Sequence, residues 1–189
     1  MNIALSTDKE IRKFYNRLYL YKSIFYKGIK FRSNTKDVDL KNIIKALNIK
    51  KRKERIAFIY DTACKKIDDL NKGINICGFK NGQCFVQQKK DNGKYDGCCR
   101  RCKYNNHGCT TSNLACKLFN CSEVKDRYKV YKYEDIKILK LLNLRQRELV
   151  RSDYFSTREE VLKVLYSRSF LYSVTKKAIR QAKWNFLKK

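Results

Sequence analysis

The chain has 189 residues, of which 43% are hydrophobic and 33% charged, enough apolar content for one main core and too much for disorder throughout. Its 45 Lys and Arg against 18 Asp and Glu leave a formal net charge of +27. Such an excess repels itself in a compact state and points to a polyanionic partner, nucleic acid first and an anionic membrane surface second.

The opening stretch holds only Ile3, Ala4 and Leu5 as an apolar run before Thr7-Asp8-Lys9-Glu10, too short for the core of an export signal. No apolar run approaches the roughly 20 residues of a membrane span. A reducing cytoplasm is therefore expected, where clustered cysteines bind metal or do chemistry.

Thr7 and Glu10 have the spacing of a capping box, so a helix is predicted from there. Ile11, Phe14, Leu18, Tyr21 and Phe25 would form its core stripe, with Lys9, Arg12, Lys13 and Arg17 opposite and Gly28 as its stop. A short helix is predicted over Asp39–Leu47. The run Lys50-Lys51-Arg52-Lys53 then leads into a longer helix from about Glu54 to Leu70.

From Gly73 onward the chain becomes loop-rich. Asn81-Gly82 and Asn92-Gly93 are hairpin turn signals, and Thr111 or Ser112 is expected to cap a short helix through Phe119. Beyond it, Ile138, Leu139 and Leu142 share a helical face. Ser156-Thr157-Arg158-Glu159 reads as a second capping box, opening a helix that begins its apolar face with Val161, Leu162 and Leu165 and bends or breaks near Ser167-Arg168-Ser169. The stretch Ile43–Arg52 also echoes Ile138–Arg147, each reading as a short helix, a turn at Asn and a basic helix start. Two helix-turn-helix-like units would have that form.

Eight cysteines lie within 45 residues: Cys77, Cys84, Cys98, Cys99, Cys102, Cys109, Cys116 and Cys121. That number fits two four-thiolate sites. Cys99-Arg100-Arg101-Cys102 has the CxxC spacing that lets two thiolates of one turn reach the same ion. Flanking Arg100, Arg101 and Lys103 would favour the thiolate form. Two Zn²⁺ ions are the expected cofactor and an iron–sulfur cluster is the alternative, because four thiolates serve either metal. His107 is read as an exposed turn residue in preference to a ligand. Cys64, outside the cluster on a predicted helix, is read as a buried structural thiol.

The vicinal pair Cys98-Cys99 and the run Gly108-Cys109-Thr-Thr-Ser-Asn-Leu-Ala-Cys116-Lys-Leu-Phe-Asn-Cys121 resemble small bacterial cysteine-cluster proteins of zinc- or iron-chelating type. The resemblance covers about a quarter of the chain and implies metal binding.

The expected architecture is mainly α, with a small loop and β-hairpin metal-binding module. It comprises a basic helical arm over 1–76, the cysteine-rich module over 77–121 and a second basic arm over 122–189, which could share one domain with the first. The arms carry formal charges of +11 and +10, and the module carries +6 before thiolates and metal bring it to +2. Lys50, Lys51, Arg52, Lys53 and Arg55 form the densest basic run, and Lys176, Lys177, Arg180 and Lys183 gather beside Trp184. These are the candidate phosphate-contacting clusters, and aromatics off the apolar faces would stack bases.

A zinc-stabilised nucleic-acid-binding protein without enzymatic activity is therefore expected. A protein-interaction module or an iron–sulfur redox sensor is the alternative. Catalysis has little support, since one histidine, no GxxxxGK[ST] and no GxGxxG leave few constellations to carry it.

Overall fold

The computed structural model describes residues 2–18, 20, 30–72, 74–78, 80, 81, 84, 88, 104, 105, 108, 109, 111–154 and 156–167. It is mainly helical. In chain order the elements are β1 (Asn2–Leu5), α1 (Asp8–Asn16), β2 (Lys30–Ser33), α2 (Val38–Asn48), α3 (Arg52–Asn71), β3 (Tyr104–Asn105), β4 (Gly108–Cys109), α4 (Leu114–Leu118) and α5 (Ser122–Arg127). Two 3₁₀ segments, Tyr133–Asp135 and Lys137–Leu141, precede α6 (Leu144–Ser152) and α7 (Arg158–Tyr166).

Helix α3 is the centre of the fold. Ile56, Ile59, Tyr60, Ala63 and Ile67 recur at helical spacing and are buried. Around it pack α2, α4, α7 and the 3₁₀ segment Lys137–Leu141. One hydrophobic core joins Leu5 and Phe14 at the start of the chain to Leu114, Leu139, Val150, Val161 and Leu165. Both flanks of the cysteine-rich stretch thus contribute to the same core, and so does Leu114 from within it.

The predicted capping box at Thr7 is formed: the Glu10 N–H donates to the Thr7 hydroxyl, and the Glu10 carboxylate accepts from the Thr7 N–H at 2.9 Å. Phe14 and Leu18 are buried, while Lys9, Arg12, Lys13 and Arg17 face solvent. The remainder of that predicted stripe, Tyr21 and Phe25, and the stop at Gly28 lie outside the described residues.

Sequence patterning missed the parallel pair of β1 and β2, registered Asn2↔Lys30 through Leu5↔Ser33. Its partners are 28 residues apart, and neither strand is long enough to show a clear alternation. Asn48 extends this ladder from the end of α2: its side chain accepts from the Phe31 N–H at 3.2 Å and donates to the Phe31 carbonyl at 3.1 Å.

Four boundaries differ from expectation for local reasons. Helix α3 begins at Arg52, so the basic run straddles its first turn. The N-cap of α4 is Asn113, whose side-chain oxygen accepts from the Cys116 N–H at 2.8 Å, in place of Thr111 or Ser112. The second capping box is one residue later than predicted, with Thr157 and Glu160 as its pair. Ile138 and Leu139 are buried as expected, but on a 3₁₀ segment.

The two echoing stretches diverge at the same point. Asn143 caps α6 in a capping box with Gln146, whereas Asn48 ends α2 and bonds to a strand. Equivalent sequence therefore serves two different connections.

Candidate metal centre and basic surface

The C-terminal end of the cysteine-rich stretch is anchored on the core. Asn113 is buried, and its amide nitrogen donates to the carbonyls of Asp153 at 2.7 Å and Ser156 at 2.8 Å. The next residue, Leu114, donates its N–H to the Tyr60 hydroxyl at 2.9 Å. Burial pushes the Tyr60 pKa upward, keeping the phenol protonated. Lys117 then forms an ion pair with Asp68 of α3. Helix α4 is thereby tied to α3 and to the α6–α7 connection, and this fixes the backbone that carries Cys116 and Cys121.

Cys116 is half-buried on α4, and Cys121 is half-buried at the N-cap of α5. Cys77 is half-buried in a turn after α3, and Cys84 is buried. Asn81 between them takes a positive φ of 51°, a conformation Asn tolerates better than most residues, in line with the turn predicted at Asn81-Gly82. Cys109 belongs to β4, which pairs antiparallel with β3 in a hairpin the turn signals did not reveal. Cys98, Cys99, Cys102, His107 and the Asn92-Gly93 turn lie outside the described residues. Among the described residues, no group of three or more Cys, His, Asp or Glu is gathered as a metal site.

Cys64 stands apart from this set. It is buried on α3, its thiol faces the Ser112 carbonyl at 3.7 Å, and burial pushes its pKa up to about 12. It has the environment of an inert core thiol, as the sequence suggested.

The first basic cluster divides into two kinds of residue. Arg52 donates to the carbonyls of Tyr166 at 2.5 Å and Leu165 at 3.2 Å, tying the start of α3 to the end of α7. Arg55 is buried and donates to the Ile49 carbonyl at 3.0 Å. Lys50, Lys51 and Lys53 are exposed, with Lys51 3.0 Å from Glu54 and Lys53 over the Tyr166 ring at 5.9 Å. Lys176, Lys177, Arg180, Lys183 and Trp184 lie outside the described residues.

Many carboxylates are engaged within the fold. Glu10, Asp37, Asp135 and Glu160 accept from backbone N–H groups at helix starts. Asp39 pairs with Lys66, Asp68 with Lys117 and Glu134 with Arg151. Asp61 takes Arg158 in a two-pronged contact at 2.6 and 2.5 Å. Meanwhile Lys30, Lys36, Lys41, Lys45, Lys65, Lys129 and Lys132 are exposed. Tyr128 and Tyr131, beside those last two lysines, are also exposed, so aromatic faces and ammonium groups share one surface stretch.

No family model, curated protein or solved structure matches this chain. Among the described residues, no helix is long and apolar enough to cross a membrane.

Proposed function

We propose that this is a cytoplasmic, zinc-stabilised nucleic-acid-binding protein whose function is binding and not catalysis. The observation that carries the reading is the distribution of charge. Many acidic groups cap helices or pair within the fold, while Lys30, Lys36, Lys41, Lys45, Lys65, Lys129 and Lys132 and the tyrosines at 128 and 131 face outward. Lysines neutralise phosphates, and exposed tyrosines offer stacking faces to unpaired bases.

Metal binding is supported by the spacing of the eight cysteines and by the anchoring of Cys116 and Cys121 at the edge of the core. Thiolate ligands suit Zn²⁺, and two sites would use all eight. Metallation would remove most of the formal charge of the 77–121 stretch, leaving the helical flanks to meet the polyanion.

The test pairs two measurements on protein purified under reducing, anaerobic conditions. Elemental analysis should return about two zinc per chain. Fluorescence anisotropy with a labelled oligonucleotide should show an affinity that falls steeply with added salt. Absence of oligonucleotide binding at low salt would remove the functional reading. Iron with visible charge-transfer absorbance would replace zinc by a cluster.

A further inference from the structure

Between the start of α6 and the end of α7 lies a cleft of about 250 Å³ whose polar lining is arginine, amide and hydroxyl, with no carboxylate. Arg52 of α3 and Arg145 and Gln146 of α6 line it, together with the apolar Leu149 and Val164. The two basic helix starts singled out as an internal echo, one ending at Arg52 and the other containing Arg145, thus meet at one place.

The electrostatics of the cleft favour an anion. Two guanidinium groups line it, and guanidinium geometry matches the oxygens of a phosphate. The first turn of α6 carries no acidic side chain of its own, so the partial positive charge of the helix start adds to that of the guanidinium groups. The opposing pole, the end of α7, is covered. The Leu165 carbonyl accepts from Arg52 and from the Gln146 side chain, both at 3.2 Å, and the Tyr166 carbonyl accepts from Arg52. These same bonds hold Arg52 and Gln146 in place, so the site is organised before any ligand arrives.

We propose that this cleft binds a phosphate group of the nucleic-acid backbone. The proposal rests on the nucleic-acid reading above and adds Arg145 to the residues that carry it. An ordinary surface lysine would act as a diffuse neutralising charge. This cleft instead fixes the position of one phosphate against the fold.

Two variants of the metal-loaded, full-length protein test it. Arg145→Gln removes one charge and keeps a polar side chain of similar reach. Leu144→Glu places a carboxylate at the first residue of α6, where the leucine is 81% exposed. A carboxylate in that position favours the helix, so thermal stability should hold or rise while binding falls. A labelled single-stranded oligonucleotide is followed by anisotropy across a salt series, and inorganic phosphate by its effect on the backbone amide resonances of Arg145 and Gln146.

In the wild type, phosphate should shift those amides. Each variant should weaken oligonucleotide binding about 3- to 10-fold, and Arg145→Gln should reduce the salt slope by about one. Intact oligonucleotide binding with an unchanged slope in both variants overturns the cleft and leaves the nucleic-acid reading standing. Phosphate binding that responds to both variants, with no oligonucleotide binding by the wild type, overturns the nucleic-acid assignment and leaves a site for a small phosphate ligand.

Discussion

Around Leu139 and Ile59 the described elements of both flanks contribute apolar side chains to one core, so burial is a main source of their cohesion. The stretch from Cys77 to Cys109 has a different composition. Its sequence interleaves glycines, lysines and cysteines with only a few large apolar residues, too few at any regular spacing to cover a second core. A segment of that composition needs another source of cohesion, and under the proposed reading thiolate–metal bonds would supply it. Eight cysteines gather in the region poorest in apolar periodicity, while the lone Cys64 sits buried in the region richest in it.

The largest expected effect separates the two regions outright. Structural zinc contributes on the order of 10–16 kcal/mol to small thiolate modules. Chelation should therefore make 77–109 more open to limited proteolysis while α2, α3, α6 and α7 keep their helical circular dichroism. Loss of all helicity on chelation would erase the distinction. Thiol alkylation at pH 8 sharpens it further. Chelated protein should react at the clustered cysteines, whereas Cys64, with its pKa near 12, should react only after global unfolding.

The junction between the regions comes next. Asn113→Ala removes the α4 cap and two buried hydrogen bonds, and should cost about 2–3 kcal/mol in a denaturant titration. Because Cys116 is held through that cap, zinc affinity should fall along with stability. Tyr60→Phe leaves the buried Leu114 N–H without its acceptor, at a cost of about 1–3 kcal/mol. An unchanged zinc affinity in both variants would make the junction irrelevant to the metal.

The smallest effect belongs to the edge of the helical region. Hydrogen bonds from the Ser6 and Thr7 N–H groups hold the Glu10 pKa below its ordinary 4.5. A carboxylate depressed in the folded state stabilises the fold above its unfolded pKa. That contribution is lost as pH falls through the folded value. The Glu10 carboxyl resonance should accordingly titrate with a midpoint below 4.5, and α1 should fray only on the acid side of it.

How much was legible in the sequence follows the range of the interactions involved. The Thr7 box, the Phe14–Leu18 stripe, the buried face of α3 and the Asn81 turn all depend on residues a few positions apart. Composition and spacing carry such information directly. The metal-binding and polyanion proposals draw on the same kind of information, cysteine spacing and a count of charges.

Tertiary structure decided what depends on distant partners. The parallel pair of β1 and β2 needs strands 28 residues apart, and Arg52 reaches carbonyls more than 110 residues away. No local pattern shows that Arg52 and Arg55 are bound to backbone carbonyls while Lys50, Lys51 and Lys53 stay at the surface. Nor does any local pattern show that Asn113 links the cysteine-rich stretch to the α6–α7 connection, or that Arg145 lines the same cleft as Arg52. Local free energies select the elements. Which polar groups meet is set by how those elements pack, and that depends on the whole chain.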